Sequence, residues 1–434
     1  MYKISKLEND VRIATYLMPK MQTAAIGVWV YVGGRDELKE KNGISHFIEH
    51  LAFKGTNKRS MLQIKAAVEG IGGVLNAFTT EELTCYLAKV SGKHAEQTTE
   101  VLLDLVLNCQ CKNKDIKKER NVIFEEIKMY SDLPQHLAFD KLLKLLWPDH
   151  ALGRNLTGSF QTLNNLTRKD IIRFKGHYYR AENMLITACG CLNHVKVVKV
   201  INKFFASNPE LNKNRNEGNE KFIKNIIKVK ESQKKAQLQI FRKDTQQTHL
   251  CFGLRALKKN DPREYVLTLM HIILGANMSS RLFNELREKK GYAYDIGTGI
   301  KKFSDTGAFF IHAGVVNKYA ERVCEIILKQ LTKLKNVLVP GEELQRAKEF
   351  YFGQMLMTLE DPLERMVWQG ENILKTGKAK TTREIINKAK KVSAAEIRKL
   401  AKSIFINDAL NLSIVGPVKN SQSQRINELL KGFN

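Results

Sequence analysis

The chain has 434 residues, of which 43% are hydrophobic and 27% charged, with a net charge of +26. That is the composition of an ordinary globular protein long enough for roughly two to four domains. No run approaches the ~18 uninterrupted apolar residues of a membrane span. The excess lysine is spread along the chain, as in 221–235 and 375–391, and no zinc-finger, Arg-rich or RNP-like motif accompanies it. It therefore reads as a solvated basic surface rather than a nucleic-acid site.

Residues 1–10 lack the apolar core of a signal peptide and the Arg/Ser-rich look of a transit peptide, so the expectation is a cytoplasmic protein. Strands are predicted over 10–17 and 24–32. A polar turn at 33–42 then leads into a predicted helix over 44–53. This helix carries His46-Phe47-Ile48-Glu49-His50. Residues four apart share one helix face, so the two imidazoles stack above one another and can hold one zinc ion. Glu49 lies beside that face, where a carboxylate can act as general base. The order is the inverted zincin motif, His-x-x-Glu-His. Ile44, Phe47, Ile48, Leu51 and Phe53 turn the segment toward a core, where a polar trio is costly without a partner.

A helix is predicted over 61–70, strands over 74–77 and 84–90, and a helix over 95–107. The next helix, 115–130, ends before Asp132-Leu133-Pro134, because proline and its predecessor disfavour continuation. Glu119 and Glu126 are two turns apart on one face of it. Taken alone, this face reads as a solvated charged stripe. With the two histidines it offers Glu126 as a third ligand, since catalytic zinc usually takes three. Glu119 would stand behind it or help hold the water. A helix over 137–146 and a strand over 184–189 complete the first half. Seven cysteines, at 85, 109, 111, 189, 191, 251 and 324, are scattered and odd in number. They read as reduced thiols of a reducing compartment.

Residues 207–235 are polar and weakly periodic, and read as a linker. The remainder looks like a second copy. Gln22-Thr23 and Gln247-Thr248 each open an apolar run, followed by a polar turn and an apolar helix. Eight residues before Pro134 stands Glu126, and eight before Pro362 stands Gln354. Fifteen before stand Glu119 and Ala347. The copy lacks the metal set and keeps only His271. The expected domains are 1–206, catalytic, and 236–434, inactive. Each is α+β, with helices on a mostly antiparallel sheet.

These residues together resemble the M16 metallopeptidases, the pitrilysin family, in the short branch that includes mitochondrial processing peptidase subunits. The similarity covers 43–56 around the histidines, 72–86, 119–127 and 281–294, and runs nearly end to end. It implies two homologous halves that close like a clamshell. It implies one zinc ion per chain, held by His46, His50 and Glu126. Glu49 becomes the general base, and Glu119 supports metal and water. Asn76, Ala77 and Phe78 become the edge strand on which an extended peptide substrate lies. Arg287 and Tyr294, seven residues apart, become donors from the inactive half to the substrate carbonyl. The implied activity is zinc endopeptidase, acting as a homodimer or with a related subunit. The competing readings are a non-catalytic scaffold of the same fold, opposed by the intact zinc set, and a nucleic-acid-binding protein, suggested by charge alone.

Overall fold

The computed structural model describes residues 2–211, 226–230 and 233–433. The chain divides into two units, each assembled from separate pieces. Unit 1 is Met1–Ile127, Asn155–Ile226 and Leu356–Lys380. Unit 2 is Lys128–Arg154, Ile227–Met355 and Thr381–Asn434.

Unit 1 holds strands β1 (Tyr2–Lys6), β2 (Arg12–Leu17), β3 (Thr23–Val30), β4 (Val74–Thr79), β5 (Thr84–Ser91) and β6 (Met184–Gly190). They form one sheet in the order β1-β2-β6-β3-β5-β4. Only the β2–β6 pair is parallel. Helices α1 (Ile44–Ala52), α2 (Met61–Val68), α3 (Ala95–Leu107) and α4 (Asn113–Asp132) follow the strands as predicted, to within a few residues. On one face of the sheet, Ile26, Val28, Tyr86 and Ala88 pack with Phe47, Ile48 and Leu51 of α1 and with Leu102 and Val106 of α3. On the other face, Trp29, Cys85 and Leu185 pack with Met366 and Ile373 of the helix Pro362–Thr376. A strand covered on both faces is apolar throughout, which is why β3 shows no alternation.

Unit 2 holds β7 (Gln237–Phe241), β8 (Gln247–Ala256), β9 (Ala293–Lys302), β10 (Gly307–Val316) and β11 (Asn411–Val415), in the order β7-β11-β8-β10-β9. Without β1, the order of unit 1 maps onto this strand for strand. The single parallel pair also falls in the same place, β7–β11. The duplication read from Gln22-Thr23 and Gln247-Thr248 is thus present, with β3 and β8 as counterparts.

The halves exchange a helix, and the sequence gives no sign of it. Helix α5 (Pro134–Leu146) belongs to the first half of the chain but packs on β8 and β11 of unit 2. Pro362–Thr376 belongs to the second half but packs on β3 and β6 of unit 1. Each begins at the proline that the sequence reading took as a terminator, which suits a first helical turn. Glycines make room for both: a Cβ on Gly27 would lie 2.4 Å from Met366 Sδ, and one on Gly253 would lie 2.7 Å from Leu142 Cδ1. The two compact units accordingly also meet along the chain at 127/128, 154/155, 355/356 and 380/381. Periodicity tells which helix face is apolar, not which sheet receives it. Of the expected linker, 212–225 and 231–232 lie outside the described residues. No described helix is long and apolar enough to cross a membrane.

Candidate metal centre

Helix α1 is placed by a buried carboxylate. Glu37 accepts hydrogen bonds from the Gly43 N–H at 2.7 Å, the Ser45 N–H at 2.9 Å and the Asn42 amide at 2.8 Å. These backbone donors at a helix start have no intrahelical partner, and an anion there also meets the positive end of the helix dipole. Gly43 has φ of +96°, and a Cβ on it would lie 2.8 Å from the Thr157 carbonyl oxygen. Glycine is thus required at the entry to the helix. The apolar side of α1 then packs into the core and fixes the rotation that presents His46 and His50.

Both rings turn toward Glu126 of α4. Glu126 Oε2 lies 3.7 Å from His46 Nε2 and 3.6 Å from His50 Nε2. The three ligand atoms lie within 4.8 Å of one another. Separations of 3.6 Å are too long for hydrogen bonds. They are close to the roughly 3.3–3.4 Å between donors that share a tetrahedral zinc with bonds of ~2.1 Å. The donor set, two imidazoles and a carboxylate, also suits that ion. Burial, and next the neighbouring His50, push the His46 pKa down to about 3, so its ring is neutral and its lone pair available. Among the described residues, His46, His50 and Glu126 are the one group of three or more His, Cys, Asp or Glu with this convergence.

The ring of His50 is held from behind. Its Nδ1 lies 3.2 Å from Glu119 Oε2, and Glu119 Oε1 lies 2.6 Å from Lys54 Nζ. Burial pushes the Glu119 carboxyl up, but hydrogen bonds from His50 and Lys54 outweigh it and leave it below the ordinary range. Glu119 was expected among the catalytic residues. In the structure it contacts His50 and Lys54, the arrangement by which a carboxylate orients a ligating imidazole. Among the described residues, the buried His46 Nδ1 meets no such carboxylate.

Glu49 is nearly buried, and its Oε2 accepts a hydrogen bond from the Thr79 hydroxyl. Burial raises its pKa, while the Thr79 bond and His50 lower it. Thr79 stands on β4, the outer strand of the sheet. Alternation sends Leu75, Ala77 and Thr79 to the α1 side and Val74, Asn76 and Phe78 to the other. The ring of Phe78 packs edge-on against Trp29, so this residue has only its backbone to offer a ligand. The Asn76 side chain accepts from the Ala77 N–H at 2.8 Å and covers part of the strand. Thr79, Glu37 and Lys54 are site residues that the sequence patterns do not single out. Thr79 follows Phe78 directly and, two residues beyond Ala77, shares its face, which is the signal that could have found it.

Arg287 and Tyr294 lie in unit 2. Arg287 sits in a π-helical turn, Asn284–Glu288, a local form that recurs at functional sites. Its Nη1 donates to the Tyr294 carbonyl at 2.8 Å, and its guanidinium lies 5.0 Å from the rings of Phe283 and Tyr294. The pairing of β10 with β9 steps from Asp295 to Ala293, so Tyr294 is the bulged residue, and it is 72% exposed. In the second copy of the helix pattern, His271 Nδ1 lies 2.6 Å from Thr298 Oγ1, as a satisfied core histidine.

Comparison with known proteins gives the family. The family model described as "Insulinase (Peptidase family M16)" matches residues 12–159, which contain His46, Glu49, His50, Glu119 and Glu126. "Peptidase M16 inactive domain" matches residues 165–351. The chain is 34% identical over 423 residues to a Bacillus subtilis protein named "Uncharacterized zinc protease YmxG", covering 98% of this chain and 100% of that one. It is 32% identical over 417 residues to an "Uncharacterized zinc protease" of Rickettsia felis, covering 96% and 98%. In fold it resembles a crystal structure of a protease from Helicobacter pylori, with a TM-score of 0.89 at 23% identity, covering 96% of this chain and 99% of that one. The duplicated sheets, the one-sided set of metal donors and these full-length similarities make the chain a member of peptidase family M16, in its short two-domain form.

Proposed function

We propose that the chain is a zinc endopeptidase that cleaves extended or unfolded peptide segments. The observation that carries this is the convergence of His46 Nε2, His50 Nε2 and Glu126 Oε2, with the Glu49 carboxylate on the same helix. A bound zinc would acidify a water and polarise the scissile carbonyl. Glu49 takes the proton of the attacking water and returns it to the leaving amine. Thr79 keeps the Glu49 carboxylate in place, and Glu119 keeps the His50 ring in place. The outer strand β4 offers its outward backbone edge at Asn76–Phe78 to an extended peptide, which adds as a further strand. Asn76 gives up its bond to Ala77 when that happens. Arg287 and Tyr294 are assigned to the developing oxyanion by residue type, a guanidinium and a phenol.

The test couples metal analysis to digestion of a peptide library. Purified protein should carry zinc, cleave peptides, lose activity with a chelator and regain it with zinc. Zinc-free protein that cleaves nothing after zinc is added would replace this reading with that of a non-catalytic M16 scaffold.

A further inference from the structure

Cys109 and Cys111 lie between α3 and α4 with their sulfurs 3.6 Å apart. We propose that this pair is a redox modification site: oxidation joins the two sulfurs in a reversible disulfide, and the change in the segment shifts the alignment of α1 and α4. The second clause rests on the peptidase reading; the first does not.

Proximity is the first argument. Residues two apart on extended chain face the same way. Cys111 has φ of +46°, a left-handed conformation uncommon outside glycine, which bends the segment there. Closing a contact of 3.6 Å to the ~2.05 Å of an S–S bond takes a small movement.

Access is the second. Both thiols are buried from bulk solvent, but Cys109 lines a cavity of about 540 Å³. Lys112, Arg168, Lys175 and Arg180 share its wall with Glu182 and Glu210. The volume admits a small-molecule disulfide, and the basic excess suits an anionic one. The hydrogen bond with Cys111, joined by the Lys175 ammonium, lowers the Cys109 thiol against the opposing effect of burial. A lowered thiol holds more of the thiolate, which is the attacking form.

The third argument is what the segment connects. Cys109 bridges to Thr56, and the Gln110 N–H donates to the Gly55 carbonyl at 3.2 Å. The Gln110 amide also donates to Asn57 at 2.7 Å. Residues 55–57 form the turn just after α1, which carries the histidines. Two residues beyond Cys111 begins α4, which carries Glu119 and Glu126. Arg168 fixes the far side through the carbonyls of Cys111 and Gln110. A ring closed at 109–111 thus pulls on the joint between the two helices that supply the metal donors.

The step balances with a small disulfide as oxidant. The Cys109 thiolate attacks one of its sulfurs, forms a mixed disulfide and releases one thiolate. The Cys111 sulfur, losing its proton, then attacks Cys109 Sγ and releases the second. The protein loses two protons and two electrons, and the oxidant becomes two thiols.

The test treats reduced, zinc-loaded, full-length protein with oxidised glutathione, alkylates it and digests it with trypsin. Residues 94–112 hold both cysteines and no other. The expected result is loss of alkylation on this peptide and a mass lower by two hydrogens, both reversed by a dithiol. Cys111→Ser should instead accumulate glutathione on Cys109. Amide exchange at 54–57 and at the start of α4 should change on oxidation of the wild type and not of Cys111→Ser. Full alkylation of Cys109 and Cys111 while the exposed Cys191 is oxidised would overturn the site. A disulfide that leaves amide exchange unchanged would overturn the switch. If mass and exchange behave as stated but neither redox form cleaves peptides, the peptidase reading fails and the redox site stands.

Discussion

The Thr79 hydroxyl donates to Glu49 Oε2 at 2.5 Å, so the outer strand of the sheet holds the proposed general base of α1. One contact thereby joins the strand that would carry substrate to the residue that would act on it. Thr79→Val keeps the shape and β-branch but removes the donor. A hydrogen bond to a charged group is worth ~1.5–3 kcal/mol. The variant should bind zinc normally and lose roughly 10–100-fold in kcat/KM. Unchanged kinetics in a zinc-loaded Thr79→Val protein would separate Thr79 from the chemistry.

Glu49→Gln preserves size and the bond to Thr79 while removing the proton acceptor. Zinc content should stay at the wild-type level, and kcat should fall by at least ~10²-fold, the low end for general-base catalysis. Paired metal analysis and peptide kinetics on one preparation provide the check. Near-full hydrolysis would remove Glu49 from the mechanism.

Glu119→Gln weakens the support of His50 without touching the ligand atoms. The expected outcome is a loss of about 10–100-fold in zinc affinity, measured by competition with a chelator. At saturating zinc, kcat should recover more than it does for Glu49→Gln. Lys54→Met should act in the same direction, because Lys54 holds the other oxygen of Glu119.

Unit 2, which holds none of the candidate metal ligands, supplies a pH test. Burial, and next Lys302, push the His271 pKa down from 6.5 to about 4. A histidine whose folded pKa is depressed contributes its stability in full above about pH 6.5. That contribution is lost as the pH falls toward 4. It amounts to up to roughly 3 kcal/mol. Thermal melts of metal-free protein should show the transition of unit 2 weakening between pH 6.5 and 4. His271→Gln should flatten that slope. An equal slope in the variant would place the acid sensitivity elsewhere.

Much of the site is legible in the sequence because helical spacing is rigid. His46 and His50 are four apart and Glu119 and Glu126 seven apart, so each pair shares a face before any fold is known. The distance between the two helices is not legible, since it depends on how α1 and α4 pack over the sheet. Glu37 and Lys54 are not legible for a related reason, and Thr79 is legible only as a face-mate of Ala77. Glu37 acts through contacts 5–8 positions away, Thr79 on a residue 30 away and Lys54 on one 65 away, and no periodicity records them. The duplication was legible from Gln22-Thr23 and Gln247-Thr248, and strand order bears it out. The helix exchange was not, because α5 and Pro362–Thr376 bury apolar faces that would suit either sheet. At Tyr294 the sequence offered spacing alone, whereas its exposure comes from a bulge that pairing register creates.

The exchanged helices also order events during synthesis. Trp29 packs against Met366, and a Cβ on Gly370 would lie 2.2 Å from the Trp29 ring, so the sheet on which α1 packs is covered on its other face by a segment made near the end of translation. A nascent chain that stops after residue 211 exposes that apolar surface to the ribosome exit and to chaperones. Recombinant expression of the first half alone should accordingly yield insoluble protein, and co-expression with residues 236–434 should rescue it.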